Sequence, residues 1–142
     1  MKVFYLMLFF IVVITSCQKN NNNVGTSSTS GKSHYSGQNC MKCHNGTNGM
    51  TIAGTVYDSV TKATLSGVTI KIYTKNTLTG SPICTLQSDA SGNFYMSSNL
   101  DFSTGVYPAT QGKTKTYQHV SVVKSGQCNS CHGVTTSKIW AR

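Results

Sequence analysis

The chain has 142 residues, 38% of them hydrophobic, with twelve Lys and Arg against three acidic residues and a formal charge of +9. That length suits one small domain with appendages and a modest core, and leaves no room for a second sizeable domain. The lysines stand singly, without a run of four, so the positive balance reads as a solvated basic surface and nucleic acid is not an expected partner.

At the N-terminus, Lys2 precedes an apolar run from Val3 to Ile14, followed by Thr15, Ser16 and Cys17. A run of about twelve apolar residues is too short to span a bilayer and fits the hydrophobic region of an export signal. Ile14-Thr15-Ser16-Cys17 resembles the lipobox of bacterial lipoproteins. The resemblance implies a signal peptide over 1–16, lipidation of Cys17, and a mature chain anchored to the outer membrane on its periplasmic or cell-surface face. The alternative is an ordinary signal peptide with Cys17 incidental. Residues 17–33 are mostly Asn, Ser, Thr and Gly, with too little apolar surface to offset their ordering entropy, and are expected to form a flexible tether.

Residues 34–50 hold a Cys-x-x-Cys-His sequence, Cys40 to His44. Residues 51–110 then change character. Helical periodicity is absent, and alternating apolar stretches are separated by turn-forming residues. Ile52, Gly54 and Val56 are assigned to one face. Val68, Ile70 and Ile72 point inward, with Thr69, Lys71 and Tyr73 outward. "PICTLQ", "GNFYMS" and "GVYPAT" supply further short strands, the last marked as an edge or a strand end by Pro108. This rhythm predicts a mainly β fold, a small antiparallel β-sandwich.

Several local motifs in this stretch resemble carboxypeptidase regulatory-like domains and Cna protein B-type repeats. They are Gly54-Thr55-Val56, Thr64 to Val68, Ser88 to Phe94 and Gly105-Val106-Tyr107, with Thr64 and Ser88 in place of the family's usual Pro and Thr. The resemblance covers about sixty residues. It implies a scaffold and no chemistry of its own.

Residues 111–134 hold the second copy of the paired motif, Cys128 to His132, and 135–142 form a short tail containing Trp140, assigned to packing on the sandwich. Cys-x-x-Cys-His is the attachment signature of c-type haem. Two thiols at this spacing can each add to one porphyrin vinyl group, and the adjoining His then supplies an axial nitrogen. The expectation is two haem c groups per chain, held by Cys40, Cys43, Cys128 and Cys131, with His44 and His132 as proximal iron ligands. A four-thiolate zinc site is disfavoured because the cysteine pairs stand at 40–43 and 128–131, far wider than the about 15–20 residues of zinc ribbons. A disulfide or thioredoxin-like couple is the other alternative, although no βαβ pattern accompanies it.

Of the six cysteines, one then serves the lipid and four the haems, leaving Cys84 as a small buried hydrophobe. Of the four histidines, His34 and His119 remain, each upstream of a motif. "HYSGQNCMKCH" and "HVSVVKSGQCNSCHG" echo one another, sharing Ser-Gly-Gln ahead of the first Cys. Both resemble multihaem cytochromes, in which an upstream His often supplies the second axial ligand. By that resemblance His34 and His119 are distal ligands, in an order the sequence leaves open. Met50 is the alternative sixth ligand, while Met41 lies inside its own motif. The wide spacing of the motifs weighs against closely stacked haems.

The expected function is a dihaem c-type cytochrome lipoprotein. It would carry electrons at the cell envelope, have other envelope redox proteins such as cytochromes as partners, and perform no catalysis. The alternatives are a haem enzyme or gas or peroxide sensor with one open axial site, and a structural surface β-domain with zinc or disulfides.

Overall fold

A computed structural model describes residues 33–45 and 49–142. The export signal, Cys17 and the tether to residue 32 lie outside the described residues. The fold is mainly β, as the alternating stretches predict. Strands β1 (Ile52–Asp58), β2 (Thr69–Tyr73), β3 (Cys84–Gln87), β4 (Asn93–Met96), β5 (Tyr107–Gln111), β6 (Thr116–Gln118) and β7 (Ile139–Ala141) form two sheets. One has the order β4-β1-β7 and the other β3-β2-β5-β6. All pairings are antiparallel except β1 with β7, which run parallel from Val56↔Ile139 to Asp58↔Ala141. The sheets therefore extend beyond 51–110: β6 lies ahead of the second Cys-x-x-Cys-His motif, and the tail closes an edge of the first sheet.

The inner faces meet in one apolar cluster that includes Ile52 and Val56 of β1, Ile70 and Ile72 of β2, Phe94 and Met96 of β4, and Val106. Val68, Ile70 and Ile72 point inward as their alternation requires. Tyr73, assigned outward by the same alternation, is buried instead at the end of β2, where it pairs with Tyr107. Cys84 is buried in the cluster, with its Sγ 3.8 Å from Met96 Sδ. Pro108 sits near the start of β5, where the missing N–H is tolerated. Trp140 packs edge-on to Tyr57 across the parallel pair, with ring centres 6.3 Å apart.

β1 departs from simple alternation, since every residue from Ile52 to Val56 is buried. Ile52 and Val56 face the core. The opposite face, carrying Thr55, lies under two short 3-10 turns, Cys40–Lys42 and Cys128–Ser130, that contain the paired motifs. The second turn docks by backbone: Ala53 N–H donates to Gly126 O at 2.9 Å, and Ala53 forms a parallel bridge with Gln127. Gly126 permits this approach, because a Cβ there would stand 2.0 Å from Thr51 O and 2.6 Å from Ile52 Cα. Both neighbours are backbone atoms at the start of the central strand β1 and cannot swing aside.

Gly126→Ala is therefore expected to destabilise the fold by about 2 kcal/mol through overpacking. For a domain of this size that corresponds to a melting point lower by about 10 °C, which thermal unfolding followed by circular dichroism would measure. An unchanged melting point would mean that the second turn does not sit on β1 as described.

Candidate functional site

The two Cys-x-x-Cys-His segments fold alike. In each, the second Cys and the His donate their backbone N–H groups back to the first Cys carbonyl. The distances are 3.2 and 2.9 Å for Cys43 and His44 to Cys40 O, and 3.3 and 3.0 Å for Cys131 and His132 to Cys128 O. A single tight turn thus puts two thiols and an imidazole on one short stretch, as the spacing predicts. All four cysteines are free thiols. Cys43 and Cys131 are exposed, whereas the first Cys of each motif leans into the protein. Burial raises the Cys40 thiol above its ordinary pKa and pushes Cys128 up to about 12. Both cysteines are thus held as protonated thiols at neutral pH.

The four histidines come together as two pairs. The ring centres of His34 and His44 lie 5.9 Å apart, and those of His119 and His132 lie 5.8 Å apart. Each pair joins the His of one motif to the spare His upstream of that same motif, an order the sequence left open. In the second pair both rings are oriented by backbone carbonyls. His119 Nδ1 lies 2.7 Å from Ser121 O, and His132 Nδ1 lies 2.7 Å from Ser137 O. A carbonyl only accepts, so each Nδ1 carries the proton and each Nε2 presents a lone pair, the form that binds a metal. Among the described residues, neither His34 nor His44 has such a ring bond; Tyr35 stands edge-on to His34 with ring centres 4.9 Å apart.

Beside the second pair lies a cavity of about 530 Å³. Cys128, Cys131, His119 and His132 line it, together with apolar surface from Ile52, Ile70, Phe94 and Trp140. Lys124 and Lys138 add positive charge to its wall. Exposed apolar side chains flank both pairs: Tyr35 next to His34, Val120 and Val122 just beyond His119, and Val134 near His132. Met50 donates its N–H to His44 O at 3.0 Å, while its side chain lines, with Met41, a different cavity of about 580 Å³.

The motifs, far apart in sequence, are neighbours in space. Asn39 Nδ2 donates to Gln127 Oε1 at 3.0 Å, joining the residues that immediately precede Cys40 and Cys128. Asn129, inside the second motif, donates to Gln38 O at 2.9 Å, just ahead of the first. The wide spacing in sequence therefore does not separate the two sites. The Ser-Gly-Gln echo also divides by one position. Gly37 takes a left-handed φ of +85°, whereas Gly126 serves close backbone approach.

These residues fit the groups that the motifs imply. A metal bound at about 2 Å by one nitrogen of each of two opposed imidazoles places the ring centres about 6 Å apart, close to both observed separations. Free thiols stand in the same turns, and exposed apolar side chains lie beside each pair. By contrast, among the described residues no three His, Cys, Asp or Glu side chains converge as a metal-binding group, so the four motif cysteines are not gathered as a thiolate zinc site requires. Comparisons with protein-family models, curated proteins and solved structures find no match for this chain.

The sequence did not indicate the carbonyls of Ser121 and Ser137, which have no side-chain signature, or the structural use of Asn129, an x position in its motif.

In the chain made without haem, Cys43 and Cys131 are expected to alkylate first and Cys128 last. At about pH 8 the Cys128 rate should be at least tenfold lower, because its thiolate fraction is small below a pKa near 12, and it should climb steadily with pH. Peptide mass spectrometry after timed iodoacetamide treatment checks this. Equal rates at Cys128 and Cys131 would contradict the burial of Cys128.

Proposed function

We propose that this chain is an exported dihaem c-type cytochrome lipoprotein that carries electrons at the cell envelope. The observation that supports it most is the gathering of all four histidines into two close pairs, each beside a free Cys-x-x-Cys thiol pair. Cys40 and Cys43 would hold one haem and Cys128 and Cys131 the other. His44 and His132 would be the proximal ligands, with His34 and His119 opposite them. Bound in this way, each haem supplies a reversible one-electron couple.

The chain's own part is to fill both axial positions and thereby exclude substrate from the iron. It would also hold the second pair's imidazoles in the ligating tautomer and shield one macrocycle within an apolar cavity. Lys124 and Lys138 are placed to offset propionate charge. With two histidines per iron there is no open site, which favours a carrier over an enzyme or sensor. The contact between the two turns supports two centres lying near each other, suited to accepting and passing electrons within the chain. The sandwich then acts as a scaffold of the regulatory-like kind, with Cys17 as the lipid anchor to the outer membrane and other envelope cytochromes as partners.

The test is expression with a c-type haem maturation system. Pyridine haemochrome should report two haems per chain, and the dithionite-reduced protein should show the sharp α band of low-spin haem c. A colourless product would overturn the reading. His119→Ala and His34→Ala should each leave two haems attached while converting one of them to a carbon monoxide-binding, high-spin form. If neither variant binds carbon monoxide, the distal assignment is wrong.

A further inference from the structure

A buried polar network lies on the outer face of β1, and its centre is the Thr55 hydroxyl. Thr55 Oγ1 donates to Asn93 Oδ1 at 2.6 Å and accepts from Gly37 N–H at 2.8 Å and from Asn129 Nδ2 at 2.9 Å. One donor and two acceptor positions are all a hydroxyl has, so this one is fully used. Thr55, Asn93 and Asn129 are each at least 96% buried. Asn93 spends its amide on the segment that carries His34. Its Nδ2 lies 2.8 Å from Ser33 Oγ, 3.2 Å from His34 O and 3.4 Å from Ser36 Oγ. Asn129 extends the network into the second Cys-x-x-Cys-His turn, accepting from Thr55 N–H at 3.1 Å.

The same segment is also tied to the Asp89–Ser91 turn: Ser33 N–H donates to Asp89 Oδ2 at 3.2 Å, Ser36 Oγ to Ser91 O at 2.9 Å, and Ser91 Oγ to Ser33 O at 2.7 Å. His34, Tyr35 and Ser36 are exposed, and residues 33–38 add nothing to the apolar core. Gly37 is pinned by geometry as well. Its φ is left-handed, and a Cβ would meet Tyr57 Oη at 2.6 Å. The imidazole of His34 thus takes its place beside His44 from backbone anchored at Thr55, Asn93 and the Asp89–Ser91 turn. His119 and His132, by contrast, are oriented by their own local carbonyls.

We propose that Thr55 is a positioning residue for His34 and so determines the axial ligation of the first haem. Through Asn129, the same hydroxyl is tied to the Cys128–Ser130 turn of the second motif. The proposal rests on the dihaem reading above. Thr55→Val keeps the shape and removes the hydroxyl. It leaves Asn93 Oδ1 and Gly37 N–H unpaired and takes one partner from Asn129.

The experiment uses the mature holoprotein. Haem stoichiometry, the high-spin fraction by electron paramagnetic resonance, and carbon monoxide binding are measured for wild type, Thr55→Val and Thr55→Ser. The expected result is two haems per chain throughout, and no carbon monoxide binding in wild type. About half of the haem in Thr55→Val should be high-spin and bind carbon monoxide, matching His34→Ala, with wild-type behaviour restored in Thr55→Ser. If Thr55→Val fails to fold, Ser33→Ala/Ser36→Ala provides the second measurement. It removes the hydroxyls that meet Asn93 Nδ2 and the Ser36 bond to Ser91 O, leaves the bonds of the Thr55 hydroxyl in place, and should raise carbon monoxide binding in the same direction. Fully low-spin haem in the folded Thr55→Val protein, or in the serine double variant where that one is used, would overturn the proposal while leaving the dihaem reading intact. Wild type without haem would overturn the dihaem reading itself.

Discussion

The rest of the molecule depends on β1 being covered on both faces. A sandwich strand normally presents one side to the core and the other to water. Here Ile52 and Val56 enter the core, while Thr55 on the opposite face is buried beneath the segments that carry the two Cys-x-x-Cys-His turns. A strand covered twice cannot leave polar groups unpaired on its outer side. Thr55, Asn93 and Asn129 meet that requirement together, and among the described residues no buried side-chain nitrogen or oxygen lacks a partner. The same bonds that satisfy the strand bind the 33–38 segment and the Cys128 turn to it, so the scaffold and the two sites fold as one unit.

The two sites are built alike and supported differently. The turns share their backbone hydrogen bonds because Cys-x-x-Cys-His leaves little choice in closing so short a loop. Around the second pair, β6 leads into His119, the tail returns past His132, and carbonyls on both sides fix the imidazole protons. The first pair stands at the N-terminal approach to the sandwich, and its distal residue depends on the polar network. Burial differs correspondingly: the cavity beside the second pair is walled by core residues, whereas His34 and His44 are exposed. Two Cys-x-x-Cys-His sites of the same local build therefore sit in different dielectric surroundings.

Hydrophobic alternation made much of the sandwich legible. The alternating Val68, Ile70 and Ile72 are buried as a half-covered strand requires, and the turn-rich stretch from Ser88 to Phe94 holds a tight turn that carries the chain from β3 in one sheet to β4 in the other. Its Asp89 carboxylate accepts from Ser91 and Asn93 N–H. Alternation failed where burial comes from something other than the facing sheet. Tyr73 is covered at a strand end, and the outer face of β1 by the two turns. β7 was hidden because Ile139–Ala141 is too short to show a period, and its pairing with β1 is parallel and distant in sequence.

By itself the sequence determined the β class, the two Cys-x-x-Cys-His motifs and the identity of the four histidines. Each of these is written in local spacing: side-chain period for strands, and the reach of a single turn for two thiols and an imidazole. Only the tertiary structure decided which histidine faces which, that the motifs at 40–44 and 128–132 lie side by side, and that Thr55 ties them together. Those relations depend on where β1 carries the chain and on which polar groups are left to pair on its outer face, and no local spacing encodes either.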